Sequence, residues 1–111
     1  MTATKKNARA SAREDAETFN IFLPNVGFFK QTIFGRLSLQ GVSGFAVHRY
    51  ADGDWRVSHV ETGALCGAGD TAVQAIEGAR REVKRVGKDG LMKSIDKARE
   101  VVSRWRAKAS V

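Results

Sequence analysis

Residues 45–60 read FAVHRYADGDWRVSHV and carry the strongest local folding signal in the chain. Two runs rich in β-branched and aromatic residues flank Asp52-Gly53, and this dipeptide is typical of a two-residue hairpin turn, which needs positive φ angles. The pattern therefore predicts an antiparallel β-hairpin at the centre of the fold. Its expected opposed pairs are Tyr50 with Trp55, Arg49 with Arg56, and His48 with Val57.

The segments on either side of the hairpin predict further, shorter strands. Phe19–Leu23 alternates in side-chain type before Pro24, which favours a short edge strand because proline is tolerated only at sheet margins. Residues 32–40 are typical of a second strand, and residues 41–44, with two glycines, are typical of a turn. After the hairpin, residues 64–66 are expected to form a short buried segment.

Residues 71–86 and 90–108 predict two amphipathic helices. Thr71 followed by Gln74 fits a capping box at the start of the first helix, and Gly87 is its expected stop. Apolar residues recur at spacings of three and four in both segments, which places them on one face of each helix. These residues are Ala72, Ile76, Ala79, Val83 and Val86 in the first helix, and Leu91, Ile95, Ala98, Val102 and Trp105 in the second.

Strands followed by helices, in a chain of 111 residues, predict one α+β domain. We expect a three- to four-stranded antiparallel sheet, with its central hairpin at about residues 45–60, and the two C-terminal helices packed on one face. Residues 1–17 are rich in alanine, lysine, arginine and serine, and they are expected to form a flexible or marginally helical basic arm. The α+β domain then comprises residues 18–111.

The net charge of +7 is concentrated in the predicted helices. Residues 80–111 contain eleven lysines and arginines against four acidic residues, so the remainder of the chain is neutral overall. Four cations of the second helix are spaced by four, seven and four residues, which lines them along one strip away from the apolar face. A polyanion exploits such a field, because each phosphate that is neutralised releases a condensed counterion.

This charge pattern predicts a small nucleic-acid-binding or accessory protein that contacts phosphates through the basic face of its C-terminal helices. Arg49 and Arg56 join the candidate site because two like charges directly opposed in a hairpin repel each other, and an anion between them would relieve the repulsion. The candidate phosphate-contacting residues are Lys93, Lys97, Arg104 and Lys108, with Arg80, Arg81, Lys84, Arg49 and Arg56 in support. The pattern does not distinguish DNA from RNA.

Three other interpretations of these residues stay open. The basic face can be merely solvated and partly neutralised by acidic residues four positions earlier. The pairs concerned are Glu77–Arg81, Asp89–Lys93 and Glu100–Arg104. The last helix, with Trp105 near its end, can instead dock on a partner protein, as in a regulator or inhibitor, or form the seam of a homodimer. Finally, four hairpin side chains can form a stacking platform for bases: Tyr50, Trp55, His48 and His59.

No catalytic or metal-binding constellation is predicted. The two histidines, His48 and His59, and the single cysteine, Cys66, are too few and too badly spaced for a zinc site, which needs three or four ligands. Residues 67–69 form a glycine-rich entry to a helix, but they lack the lysine and the serine or threonine of a phosphate-binding loop. We therefore expect no enzymatic activity and no cofactor.

The sequence also predicts neither membrane insertion nor export. No apolar run approaches the ~18 residues that a spanning helix needs, and residues 1–12 lack the apolar core of a signal peptide. A lone cysteine cannot form an internal disulfide, which favours a reducing compartment. A cytoplasmic location without a membrane partner is expected.

Overall fold

A computed structural model describes residues 17–23 and 26–109. The predicted basic arm lies outside the described residues except for Glu17. Within the described part of the chain, six strands precede one helical element. These are β1 (Thr18–Leu23), β2 (Gly27–Thr32), β3 (Gly35–Leu39), β4 (Val42–Ala51), β5 (Asp54–His59), β6 (Leu65–Gly69) and α1 (Ala72–Ala109). The predicted α+β class is confirmed.

The strands form two antiparallel sheets rather than the single sheet expected. The main sheet has the order β3-β4-β5-β6, so each strand pairs with its neighbour in sequence. The small sheet pairs β1 with β2 in continuous register from Thr18 opposite Thr32 to Leu23 opposite Gly27. The strand β2 was missed because its sequence, GFFKQT, does not alternate between apolar and polar residues.

The central hairpin forms at the predicted turn but in a different register. Gly53 adopts a φ of 74°, and Ala51 pairs with Asp54 across the turn, as a two-residue loop requires. The register then shifts between Arg49 and Ala51, because Tyr50 is an extra, bulged residue on β4. The predicted opposed pairs are therefore wrong by one residue. The observed pairs are Arg49 with Trp55, His48 with Arg56, and Val47 with Val57.

Other predicted boundaries around the sheet also change. Residues 32–40 divide between the end of β2 and β3, and the turn that follows consists of Gln40 and Gly41, with φ angles of 51° and 76°. Two positive φ angles in succession are typical of the type I′ hairpin turn. The strand β4 begins directly after this turn, at Val42, and therefore includes most of residues 41–44, which were predicted as the turn. Residues 64–66 are not fully buried either, since Leu65 is 55% exposed on the edge strand β6.

A single helical element, α1, replaces the two separate helices predicted. It is kinked at Gly87, whose φ of 77° and ψ of 171° are non-helical. Only glycine adopts this backbone region readily. Gly87 therefore interrupts the helical backbone where the sequence predicts a stop, but helix resumes directly after it, so the two predicted helices are joined across a kink. The start of α1 agrees with the predicted capping box. The backbone N–H of Gln74 donates to Thr71 Oγ1 at 3.1 Å, and Gln74 Oε1 accepts from the backbone of Asp70 at 2.9 Å.

The main core lies between α1 and one face of the main sheet, as predicted. Both halves of α1 contribute to it, because the kink lets each half contact the same sheet face. The helix approaches β6 so closely that a Cβ on Gly67 would lie 2.5 Å from the backbone nitrogen of Ala79. The buried residues are Leu39, Phe45, Val47 and Val57 from the sheet, with Ala75, Ala79, Val83, Leu91 and Ile95 from α1. Val86, expected on this apolar face, is 38% exposed.

The small sheet covers the opposite face of the main sheet. Phe19 and Ile21 of β1 form a second buried cluster with Ala46. His48 is fully buried beside this cluster, with its ring 5.0 Å from that of Phe19. Its Nδ1–H donates to Gln31 Oε1 at 3.0 Å, and its Nε2 accepts from the Ser58 hydroxyl at 2.8 Å, so a neutral imidazole satisfies both bonds.

Gly87→Ala is expected to destabilise the protein by about 1–3 kcal/mol, because an L side chain is strained at this φ and ψ. No heavy atom lies within 4 Å of the added Cβ, so the cost is purely conformational. Gly78→Ala is the matched control, since its Cβ meets its nearest neighbour at an ordinary 3.5 Å and alanine favours a helix interior. Urea denaturation measures both variants, and equal stability of the two would contradict the imposed kink.

The burial of His48 predicts acid sensitivity that begins near pH 6.5, above the pH at which most carboxylates start to titrate. Burial, reinforced by the nearby charge of Arg56, lowers the pKa of His48 to about 4 from its ordinary 6.5. The unfolded chain therefore binds this proton first, and the free energy of unfolding falls by about 3 kcal/mol as pH drops from 6.5 to 4.

His48→Gln removes this titration, so we expect its unfolding free energy to depend less on pH over the same interval. Burial also lowers the pKa of His59, so part of the dependence is expected to persist in the variant. Urea denaturation at several pH values measures the slope, and a slope identical to that of the wild-type protein would rule out His48 as its source.

Candidate functional site

Four predicted phosphate-contacting residues lie together on the second half of α1. Lys93, Lys97, Arg104 and Lys108 are all exposed, while residues on the opposite side of the helix are buried. At about 100° per residue, the four side chains leave the helix within an arc of about 60°, and at 1.5 Å per residue they extend over about 23 Å. We call these four residues the cationic strip.

None of the four cations of the cationic strip forms an ion pair within the part of the chain that the structure describes. Among residues 17–23 and 26–109, no carboxylate oxygen lies within 4.0 Å of a nitrogen of these four side chains. The three pairs expected from their four-residue spacing do not form ion pairs in the structure: Glu77–Arg81, Asp89–Lys93 and Glu100–Arg104. The acidic residues of α1 that do pair use other partners, Glu82 with Arg85 and Asp96 with Arg99. The field of the strip is left open to solvent.

Arg99 and Arg106, on the other side of this half of α1, serve the fold. Arg99 donates to both carboxylate oxygens of Glu61 at 2.8 Å and to Asp96 at 3.1 Å. The hydrogen bonds from Arg99 lower the pKa of Glu61, so this carboxylate stays ionised. The guanidinium of Arg106 lies 5.3 Å from the centre of the Phe28 ring. Both contacts hold the end of α1 against the loop after β5 and against the small sheet.

Arg80, Arg81 and Lys84 lie before the kink and form a second basic group. All three are exposed, and none has a carboxylate within 4.0 Å in the described part of the chain. Arg80 and Lys84, one helical turn apart, line a cleft against Ser38 and Gln40. Arg81 does not line this cleft, since one residue along a helix turns the side chain by about 100°.

Arg49 and Arg56 are not the opposed pair that was predicted. The guanidinium of Arg56 lies 4.2 Å from the Tyr50 ring centre, and its Nη2 is 3.1 Å from Asp54. Arg49 lies over the ring of Trp55, its cross-strand partner, at 5.5 Å. The bulge at Tyr50 separates the two cations, so the repulsion that suggested an anion between them is absent. Contact of Arg49 and Arg56 with nucleic acid stays a prediction, but repulsion between the two side chains no longer supports it.

The aromatic side chains also differ from expectation. His48 and His59 are buried, 0% and 5% exposed, so the predicted stacking platform is wrong. Trp105 packs edge-on against Phe22 at 5.5 Å and is therefore part of the contact between α1 and β1. Phe34, between β2 and β3, is 62% exposed and lies 5.2 Å from Trp55. The alternation of residues 32–40 already places it with Arg36 and Ser38, on the face opposite Leu37 and Leu39.

A groove runs between β1, β6 and the second half of α1. Its volume is about 500 Å³, and apolar side chains form most of its walls. Lys97 of the cationic strip and Arg56 also line it, so positive charge stands beside an apolar surface. We call it the apolar groove, and its apolar walls are Phe22, Leu23, Leu65, Ala98, Val101 and Val102.

The single cysteine and the two histidines are engaged within the fold. Burial raises the pKa of the Cys66 thiol to about 11, so the thiol is protonated at neutral pH. His48 and His59 each hydrogen-bond to a hydroxyl side chain, Ser58 and Thr62 respectively. In the described ranges, no group of three or more histidine, cysteine, aspartate or glutamate side chains is placed to hold a metal ion.

No helix among the residues that the structure describes is long and apolar enough to cross a membrane. Comparison with protein-family models, with curated protein sequences and with solved structures found no match to this chain.

Proposed function

We propose that this chain is a small nucleic-acid-binding or accessory protein that contacts phosphates through the cationic strip. The observation that carries the proposal is the alignment of four exposed cations along one side of α1, none of which has a carboxylate within 4.0 Å in the described residues. Glu61, Glu82 and Asp96 are engaged by arginines outside the strip, whereas Glu100, four residues before Arg104, is exposed beside the strip and reduces its net charge.

The dimensions of the strip suit a nucleic-acid backbone. Its length of about 23 Å corresponds to about seven base pairs at 3.4 Å each, so several phosphates come within reach of four side chains. Lysine and arginine contacts of this kind fix a protein on the backbone without reading the base sequence. The proposal is therefore electrostatic binding with little sequence preference, to which Arg80, Arg81 and Lys84 add a second basic surface.

The first test removes two charges from the strip. For four phosphate contacts, the slope of log K against log salt should be about −4 on duplex DNA, and Lys97→Gln with Arg104→Gln should reduce its magnitude by about 2. The matched control, Lys30→Gln with Lys88→Gln, removes the same charge from exposed residues that lie outside the strip and, in the described part of the chain, outside any ion pair. Fluorescence anisotropy with duplex and single-stranded oligonucleotides at several salt concentrations measures both.

The control distinguishes the loss of a specific binding surface from a reduction of the net charge of the protein. If the strip contacts phosphates, the control variant keeps a slope close to that of the wild-type protein, because the lost charges lie outside the contact. Equal weakening by the two double variants would mean that only net charge matters. A wild-type affinity that does not change with salt would remove the proposal altogether.

A second candidate function, a protein-interaction module such as a regulator or inhibitor, is favoured by the apolar groove. Leu65 is 55% exposed within it, on β6, which is an edge strand among the residues that the structure describes. Trp105, expected as the anchor of such a module, packs on Phe22 instead. The docking surface of this alternative is therefore the groove beside the helix end.

This alternative predicts that Leu65→Ser weakens capture of a partner protein by about 10-fold or more, since buried apolar contacts dominate such interfaces. Val73→Ser is the control, because Val73 is 64% exposed and does not line the groove. Cross-linked capture from a cell extract compares the two variants, and oligonucleotide binding is measured in parallel. Loss of capture in both variants, or in neither, would argue against docking in the groove.

A further inference from the structure

The apolar groove between β1, β6 and the second half of α1 offers apolar surface that a ligand can cover. Leu65 is 55% exposed in it, and Phe22, Leu23, Ala98 and Val101 are half-buried. The volume of about 500 Å³ lies within the range of small-molecule sites. Covering these side chains removes apolar surface from water, so an apolar group that fills the groove gains free energy.

The groove has a polar end and an apolar end along α1. Its helical wall begins with Ser94 and Lys97 and continues to Val101, and these residues leave the helix on one side. Phe22 lies at the far end, because it packs on the ring of Trp105, later in the helix. From Ser94 to Val101 the helix rises by about 10 Å, at 1.5 Å per residue. That distance is the reach of a medium-length alkyl chain.

Lys97 supplies the charge that is available at the polar end. It is exposed, and no carboxylate oxygen of residues 17–23 or 26–109 lies within 4.0 Å of its ammonium group. The other cation in the groove, Arg56, already has its Nη2 3.1 Å from Asp54. Within the described part of the chain no aspartate or glutamate lines the groove, and Glu100, three residues after Lys97, lies outside it. An anionic group therefore finds its counter-charge at Lys97.

The groove offers few hydrogen bonds to a ligand. The buried hydroxyl of Thr62 is bonded to His59 Nδ1 at 3.0 Å and accepts from the backbone N–H of Ala64 at 3.3 Å, so it is already engaged. Apart from the two cations, Ser94 is the other lining residue with a polar side chain among the described residues. A peptide lying in the groove would leave its backbone N–H and C=O groups unpaired, which is costly. An alkyl chain has no such groups.

From these observations we propose that the apolar groove binds a free alkyl carboxylate, a single-chain amphiphile of the medium-chain fatty-acid type. Its carboxylate, ionised at neutral pH, pairs with Lys97 and accepts a hydrogen bond from the Ser94 hydroxyl, and its chain lies against Leu65, Val101 and Phe22. A charged head and an uninterrupted apolar tail match the two ends of the groove. The inference does not rest on nucleic-acid binding, although Lys97 belongs to both surfaces.

The test is a titration of the full ¹⁵N-labelled chain with octanoate, followed by NMR at pH 7 and below the concentration at which octanoate forms micelles. A salt concentration of about 0.15 M screens charges more than about 8 Å apart, so only local ion pairing is measured. We expect saturable shifts of the amide signals of residues 62–66 and 94–102. Butyrate, which keeps the charge but loses most of the tail, should bind at least about 10-fold more weakly. Octanol, which keeps the tail without the charge, should bind at least about threefold more weakly.

Lys97→Gln tests the contact with the charged head. It should weaken octanoate binding by about threefold or more and leave octanol binding unchanged, because only the carboxylate pairs with the ammonium group. Lys93→Gln is the matched control, since it removes the same charge from the cationic strip about one turn earlier, outside the groove. This control should change octanoate binding by less than about 1.5-fold.

Leu65→Ser tests the contact with the tail. It should weaken octanoate and octanol alike, by about fivefold or more, since it removes apolar surface that both chains cover. Val73→Ser is the control, because Val73 is also exposed but does not line the groove, and it should leave both affinities unchanged. Leu65 and Lys97 are exposed, so the melting temperatures of their variants should stay close to that of the wild-type protein. A loss of binding with retained stability identifies a ligand contact.

Several results would overturn the inference. These are octanoate shifts that do not saturate or that spread over the whole chain, octanol binding as tight as octanoate binding, and equal weakening by Lys93→Gln and Lys97→Gln. Binding to phosphatidylglycerol vesicles without octanoate binding would assign the groove to a membrane surface instead. Capture of a partner protein through Leu65 without octanoate binding would assign it to the second candidate function. The titration contains no nucleic acid, so its failure and the failure of the proposed function are distinguishable.

Discussion

Four consecutive residues of β4, Phe45–His48, are buried, although side chains of a strand alternate between its two faces. A strand buried in this way must be covered on both sides, and the remaining architecture follows from that requirement. The helix α1 covers Phe45 and Val47, and the small sheet covers Ala46 and His48. Because one helix must cover a face of four strands, the kink at Gly87 brings both halves of α1 onto it.

The kink also arranges the charges of the surface. An amphipathic helix that turns its apolar side to a sheet presents its polar side to solvent along its whole length. Because α1 bends at Gly87, its basic side is divided between a strip on the second half and a pair of cations against the β3–β4 turn. The two basic groups of the helix therefore lie on different parts of the surface.

Ion pairing decides which of the many cations remain available. Arg99 is bound by Glu61, 38 residues earlier, and Arg36 of β3 is bound by Glu17, the residue before β1. Exposed pairs of this kind contribute little to stability, but they remove charge from particular places. Glu17, Glu82 and Glu61 are placed against Arg36, Arg85 and Arg99, and none of these ion pairs involves the cationic strip. The apolar groove beside Lys97 places an apolar surface next to the cationic strip.

The sequence by itself determined the features that depend on a few neighbouring residues. These are the turn at Asp52-Gly53, the cap at Thr71, the break at Gly87 and the periodicity that aligns Lys93 with Lys97. It did not reveal the bulge at Tyr50, the strand β2, or the cleft that Arg80 and Lys84 line against the β3–β4 turn. Local φ and ψ preferences and helical period are set within about four residues, whereas register, layer packing and ion pairing depend on which segments meet, and only the tertiary structure decides that.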